Sequence, residues 1–269
     1  MTATASFVSR LLTPRRPIPR GIRIGAGAMV SGGILLTWCI VSYGGLADPL
    51  FMPAPHQVVV AFWHALMDGS LLRNTWSSLV VINVGFFLST IVAVPLGILM
   101  GSFRVVSAAL EPVVNFTRYL PVTSMIPLLI LWIGIGLEEK VAVIFIGTFF
   151  QQIVMVADVS AQVPIELFNA SYTLGATRRQ IVTRVLLPAT LPGVMDTLRV
   201  TMGWAWTYLV VAELVASSSG LGYMSMQAMR GLHADFIFVA ILVIGFLGLI
   251  TDQIFKWLKV TLLPWAEQR

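Results

Sequence analysis

The sequence predicts an all-α, polytopic membrane protein with six transmembrane helices, and three observations carry that prediction. Of its 269 residues 57% are hydrophobic and only 11% are charged, where an average soluble domain has roughly 25% charged residues. Mean hydropathy is +0.88. The apolar residues gather into six windows, 24–46, 75–101, 108–135, 139–160, 190–216 and 235–263, each able to supply the roughly 20 residues that a bilayer core of about 30 Å requires. Too little polar surface is left over for a soluble fold of this length.

The first window follows a basic tail, residues 1–23, with Arg10, Arg15, Arg16, Arg20 and Arg23. Its apolar run exceeds the usual ~7–15 residues of a signal peptide and no A-x-A site follows, so an uncleaved anchor is expected. The segment 47–74 holds Pro53-Ala-Pro-His-Gln-Val-Val-Val-Ala-Phe-Trp-His-Ala-Leu, which reads as a Pro-started amphipathic helix along the outer membrane surface. The membrane core then runs over 75–263, interrupted by a polar loop at 161–190, and residues 264–269 form the tail. Within the third window Glu111-Pro112 reads as a helix start, and Pro121 and Pro127 break the backbone pattern. Such breaks are tolerated where the backbone is covered by protein or lines a cavity. The third and fourth windows lie so close that their connection must be tight, with Gly134 and Gly136 supplying the freedom.

Lysine and arginine fix the expected orientation. With the amino terminus inside, twelve of the 17 fall on the cytoplasmic side and only Arg73, Lys140 and Arg230 on the outer side, leaving Arg118 and Arg199 near span ends. This is a positive-inside distribution, with both termini cytoplasmic. It also explains the net charge of +5 without invoking nucleic acid. The single cysteine, Cys39, lies in the first window and can form neither an intrachain disulfide nor a metal site alone.

The most informative segment is Asn169-Ala-Ser-Tyr-Thr-Leu-Gly-Ala-Thr-Arg-Arg-Gln-Ile-Val-Thr-Arg-Val-Leu-Leu-Pro188. It is polar and basic between long apolar runs, so it lies outside the hydrocarbon. Thr177 and Gln180 have the S/T-x-x-E/Q spacing of a capping box, in which two exposed helix-end amides are satisfied reciprocally. Gly175 suits the left-handed residue that closes a preceding helix. Helix, sharp turn, helix is the expectation, a shaped docking element on the inner surface.

No catalytic constellation or metal spacing is present; His56, His64 and His233 all fall in outer segments. No lysine follows a glycine as a phosphate-cradling loop requires, so any nucleotide that drives this protein is bound by another polypeptide. Ionisable and polar groups in spans are functional candidates. Thr123 and Ser124 between the two prolines, Asn83, Trp204 and Glu213 are the candidates for lining a pathway. For Glu213 a gate or partner contact competes with capping of the following Ser217-Ser-Ser-Gly-Leu-Gly turn. Asp196 and Arg199, three apart on one span, have the spacing of an intrahelical pair.

These residues resemble the permease subunit of binding-protein-dependent ABC importers. The loop follows that family's pattern E-A-A-x3-G-x9-I-x-L-P as Asn169-Ala170-Ser171, Gly175, and Val185-x-Leu187-Pro188, with Asn169 in place of the glutamate and Ser171 in place of an alanine. The likeness is greatest to the nitrate/sulfonate/taurine branch, through Met52-Pro-Ala-Pro-His-Gln-Val58, Ile126-Pro-Leu-Leu-Ile-Leu-Trp-Ile-Gly-Ile-Gly136, Ala212-Glu213, Gly220-Leu-Gly-Tyr-Met224 and Leu263-Pro-Trp265.

The resemblance implies a MetI-like (type I) fold in a bacterial inner membrane. It assigns Asn169, Ala170, Ser171, Gly175, Ala176, Thr177, Arg178, Leu187 and Pro188 to coupling with the ATPase. It implies two ATP-binding subunits inside, a second permease copy that makes a homodimer, a solute-binding protein outside, and membrane lipid around the spans. ATP and Mg would sit on the ATPase and no cofactor on this chain. A small oxyanion such as a sulfonate, taurine or nitrate is the expected solute, with bicarbonate or a vitamin precursor as the alternative. An ion-coupled secondary transporter is the remaining rival, and it calls for midplane charges or paired broken helices.

Overall fold

The computed structural model describes residues 19–215 and 217–266. Most of the basic tail, including Arg10, Arg15 and Arg16, lies outside the described residues, as does Arg269 of the carboxyl-terminal segment. The helices are α1 Arg20–Tyr43, α2 Pro55–Met67, α3 Ser70–Ser102, α4 Arg104–Thr117, α5 Val122–Ile133, α6 Leu137–Ala161, α7 Ile165–Thr173, α8 Arg178–Ile181, α9 Leu187–Val215, α10 Leu221–Arg230 and α11 Ala234–Leu262. A π-helical segment, Val182–Leu186, joins α8 to α9, and a 3-10 turn, Pro264–Ala266, follows α11. No strand occurs among the described residues.

The chain divides into two compact units, Met1–Val60 and Ala61–Arg269. In the first, α1 buries none of its own residues. From the last turns of α1 Trp38 donates from Nε1 to the Pro53 carbonyl at 3.0 Å, and the Tyr43 hydroxyl bonds His56 Nδ1 at 2.8 Å. His56 is thus engaged with an aromatic ring, stacked at 5.7 Å.

The second unit is built on α3 and α6. Gly97 and Gly101 lie one turn apart, the small-x3-small spacing that lets two membrane helices approach closely. A Cβ at Gly97 would fall 2.7 Å from Val156 Cβ, and one at Gly101 only 2.2 Å from the Ala157 carbonyl oxygen. Glycine is required by that contact. Around the pair, Ile82 and Phe86 of α3, Ile144 of α6, Ala205 and Leu209 of α9 and Phe255 of α11 form a buried core. A polar thread crosses it: Ser89 donates to Gln152 Oε1 at 3.3 Å, and Gln152 Nε2 donates to Thr201 Oγ1 at 3.4 Å, joining α3, α6 and α9. In an apolar interior such bonds act as interhelical glue. At the start of α3, hydrogen bonds from Ser70 hold the Asp68 carboxyl below its ordinary range.

Among the described residues five helices are long and apolar enough to cross a membrane, and the pair α4 and α5 makes a sixth if counted as one span. The third window is not a straight helix: α4 and α5 meet at 91°. Pro121 sits just before α5 in extended conformation, where its locked φ and missing N–H end one helix and start the next. Pro127 does not break α5. The expected helix start at Glu111-Pro112 is corrected as well, because α4 begins at Arg104 and runs through Pro112. Packing of Val114 and Leu110 against α3 and α6 residues holds that helix together despite the missing N–H.

Candidate functional site

The polar loop folds into a helical elbow. After α7, the chain turns at Gly175, whose φ of +77° is the left-handed conformation that glycine adopts without steric cost. The Ala176 amide bonds back to the Ser171 carbonyl at 3.0 Å. Thr177 then caps α8: its Oγ1 accepts from the Gln180 amide at 3.4 Å, and Gln180 Oε1 accepts from the Thr177 amide at 2.8 Å. Both halves of the capping box are present. From α8 the helix continues through the π segment into α9, so elbow and span form one rod from Arg178 to Val215.

The expected coupling residues are brought together here. Asn169, Ala170 and Arg178 are exposed, and Ser171 spends its hydroxyl on the Leu167 carbonyl at 2.7 Å. That replacement for alanine is therefore satisfied within its own helix. Leu187 packs against the cluster around Val156, Leu186 and Val194, and the Pro188 carbonyl accepts from Trp265 Nε1 at 3.4 Å. The root of the elbow is anchored, while its tip offers apolar surface: Leu174 is 87% exposed, and Ile165, Leu167 and Tyr172 are open too. A polar segment that exposes its large apolar residues has the character of a protein-binding surface.

The pathway candidates are scattered. Thr123 and Ser124 lie exposed in the first turn of α5. Trp204 is exposed on α9, while Trp206 turns inward and donates to Thr251 Oγ1 at 3.3 Å. Asn83 is half-buried and bonds the Leu79 carbonyl of its own helix at 2.7 Å.

Glu213 is only 1% exposed, and the capping alternative is the one its geometry displays. Its Oε2 accepts from the Gly222 amide at 2.8 Å and its Oε1 from the Ser78 hydroxyl at 2.7 Å. Ser78 Oγ accepts from the Leu221 amide at 2.9 Å, and Asn74 Oδ1 from the Gly220 amide at 3.0 Å. Three successive orphan amides at the start of α10 are thus met by side chains from α3 and α9. Nearby, Lys140 donates to Ser217 Oγ at 2.8 Å. Its neighbour Glu139 is fully buried, with neither carboxylate oxygen hydrogen-bonded.

The expected intrahelical pair does not form. Arg199 bonds Asp252 on α11, Lys256 bonds the other oxygen of Asp252 at 2.6 Å, and Asp196 pairs with Lys259 at 2.6 Å. The antiparallel α11 offers each charge a partner across the helix interface, and cross-helix pairing satisfies both. Sequence reasoning missed Asn74, Ser78, Asp252 and Lys259. A weak signal was available in the four-residue spacing of Asn74 with Ser78, which places two polar groups on one helix face.

Apolar spans joined to a capped, polar elbow define a membrane protein with a docking surface outside the hydrocarbon. The family model described as binding-protein-dependent transport system inner membrane component matches residues 93–261, and the chain belongs to that family. It is an ABC importer permease, a multi-pass inner-membrane subunit of a transporter that also includes an ATPase and a binding protein; ATP hydrolysis resides in the separate subunit.

Among its relatives is the taurine transport system permease protein TauC of Escherichia coli (strain K12), 32% identical over 96% of this chain and 94% of that protein. A putative aliphatic sulfonates transport permease protein, SsuC of Bacillus subtilis (strain 168), is 30% identical over 90% of this chain and 87% of its own length. Among solved structures, an inward-facing MetNI methionine ABC transporter contains a chain 25% identical to this one. The match has a TM-score of 0.56 and covers 69% of this chain and 94% of that one.

Proposed function

We propose that this permease imports a small sulfonate such as taurine, pairs with a second copy of itself around a central path, and couples to its ATPase through the 162–188 elbow. The observation that carries the coupling assignment is the capped, apolar-tipped elbow continuous with α9. The taurine- and sulfonate-named relatives, similar over nine-tenths of the chain, support the solute class. In this reading Asn169, Ala170, Ser171, Gly175, Ala176, Thr177 and Arg178 meet the motor protein, with Leu187 and Pro188 anchoring them. ATP and Mg bind the motor, and this chain carries no cofactor. Both termini face the cytoplasm, as the positive-inside count favours.

Closure of two ATPases would move the elbow as a rigid body and shift the pair between inward- and outward-facing states, each with its own affinity for solute. Thr123, Ser124, Asn83 and Trp204 are proposed to line the path, with Glu213 shaping its outer mouth through α10. The test is Gly175→Asp in the assembled transporter. Membrane insertion stays normal, while ATP-dependent uptake of labelled taurine in proteoliposomes falls at least about tenfold, a loss of about 1.4 kcal/mol in coupling. Normal uptake by that variant would overturn the coupling assignment. Wild-type uptake of nitrate or bicarbonate in place of taurine would overturn the solute class alone.

A further inference from the structure

We propose that the groove between α9 and α11, at the elbow end of the spans, binds the headgroup of an anionic phospholipid. The two helices run antiparallel, so the first turns of α9 and the last turns of α11 lie side by side. Between them is a cavity of about 440 Å³ lined by Asp196, Arg199, Lys256 and Lys259 together with apolar Phe255, Val260 and Leu263. The charges do not balance. Among the described residues three cations share two carboxylates, because Asp252 takes both Arg199 and Lys256 while Asp196 takes Lys259.

Within that set one positive charge is left over beside a membrane surface. The donors are not used up either. Arg199 bonds Asp252 through Nε alone, and among the described residues its two terminal nitrogens have no acceptor. Each lysine spends a single bond within the groove, where an ammonium has three to give.

The walls say which anion suits the place. A freely soluble ion has no use for apolar sides, whereas a phosphodiester tethered to acyl chains fits both parts of the groove. Trp257 and Trp265, 64% and 52% exposed, follow the groove's lysines closely in the chain, and such aromatic side chains are enriched at the membrane–water boundary. Basic pockets between spans are sites of this kind for anionic headgroups. A zwitterionic lipid brings an extra cation into a cavity already in positive excess, so phosphatidylglycerol or cardiolipin is favoured over phosphatidylcholine. The bound phosphate would neutralise the surplus charge and tie α11 to the elbow-bearing α9, whichever solute is carried.

Native mass spectrometry of the delipidated full chain, titrated with phosphatidylglycerol or phosphatidylcholine of the same acyl chains, tests the site. The expected preference for phosphatidylglycerol is about five- to tenfold, the worth of one basic charge near an anionic surface. Lys256→Gln, which leaves the Arg199–Asp252 pair in place, and Lys259→Gln should each bring the two lipids closer to parity. A wild-type chain that binds both equally would overturn the proposal, and so would variants that keep the full preference. The wild-type comparison needs no variant to fold. Millimolar inorganic phosphate is expected to leave the bound phosphatidylglycerol in place; displacement by it would assign the groove to a free anion and overturn the lipid.

Discussion

Replacing Glu213 removes the acceptor that fixes the start of α10, and the structure sets the size of the effect. In Glu213→Ala the Gly222 amide and the Ser78 hydroxyl lose their acceptor in a site with 1% exposure, where water does not replace it. Two hydrogen bonds to a charged acceptor, at roughly 1.5–3 kcal/mol each, put the upper bound near 6 kcal/mol. Relieving the buried carboxylate of its desolvation returns several kcal/mol. The net loss expected is about 2–3 kcal/mol, or about 4–12 °C in Tm for a chain of this length.

Glu213→Gln keeps an acceptor for Gly222 and turns an amide N–H toward Ser78 Oγ, so only the serine proton is stranded, at a cost of about 1 kcal/mol. The assay is thermal unfolding of the purified permease in one detergent, followed by tryptophan fluorescence, with the three proteins side by side. The order expected is wild type above Gln above Ala. An alanine variant as stable as wild type would refute the idea that this carboxylate holds α10 in place.

Gly101→Ala drives a methyl group into the Ala157 carbonyl oxygen at 2.2 Å, so α3 and α6 must separate at a cost of about 1–3 kcal/mol; a lower Tm and poorer recovery from membranes check it. Thr177→Ala removes one side of the capping box and costs about 1 kcal/mol locally. Its mark is faster hydrogen exchange at the amides of 178–181, with the amides of α3 unchanged. Glu139→Gln removes a buried charge that has no hydrogen bond and keeps the side-chain volume, so Tm should stay level or rise. A clear drop would mean that Lys140 depends on that charge.

Local features were legible in the sequence and distant ones were not. The elbow could be read because its determinants, Gly175, Thr177 and Gln180, lie within six residues and obey backbone rules. The spans could be read because bilayer thickness fixes their length. The bend between α4 and α5 was signalled by Pro121, but its angle depends on what each helix packs against. Glu213 stayed ambiguous because Ser78, its partner, lies 135 residues away. The pairing of Arg199 and Asp196 was misread for the same reason: their true partners stand 53 and 63 residues along the chain, on a helix whose neighbours only the assembled fold determines.

The unbroken run from Arg178 to Val215 has a mechanical consequence. Its 38 residues make a lever of about 57 Å at 1.5 Å per residue, so a tilt of about 5° at one end sweeps the other through about 5 Å. Glu213 rides near the far tip, clasping the first turn of α10. A small nudge delivered at the capped corner thus reaches the opposite face of the membrane as a displacement the size of a side chain, without any residue between them having to unfold.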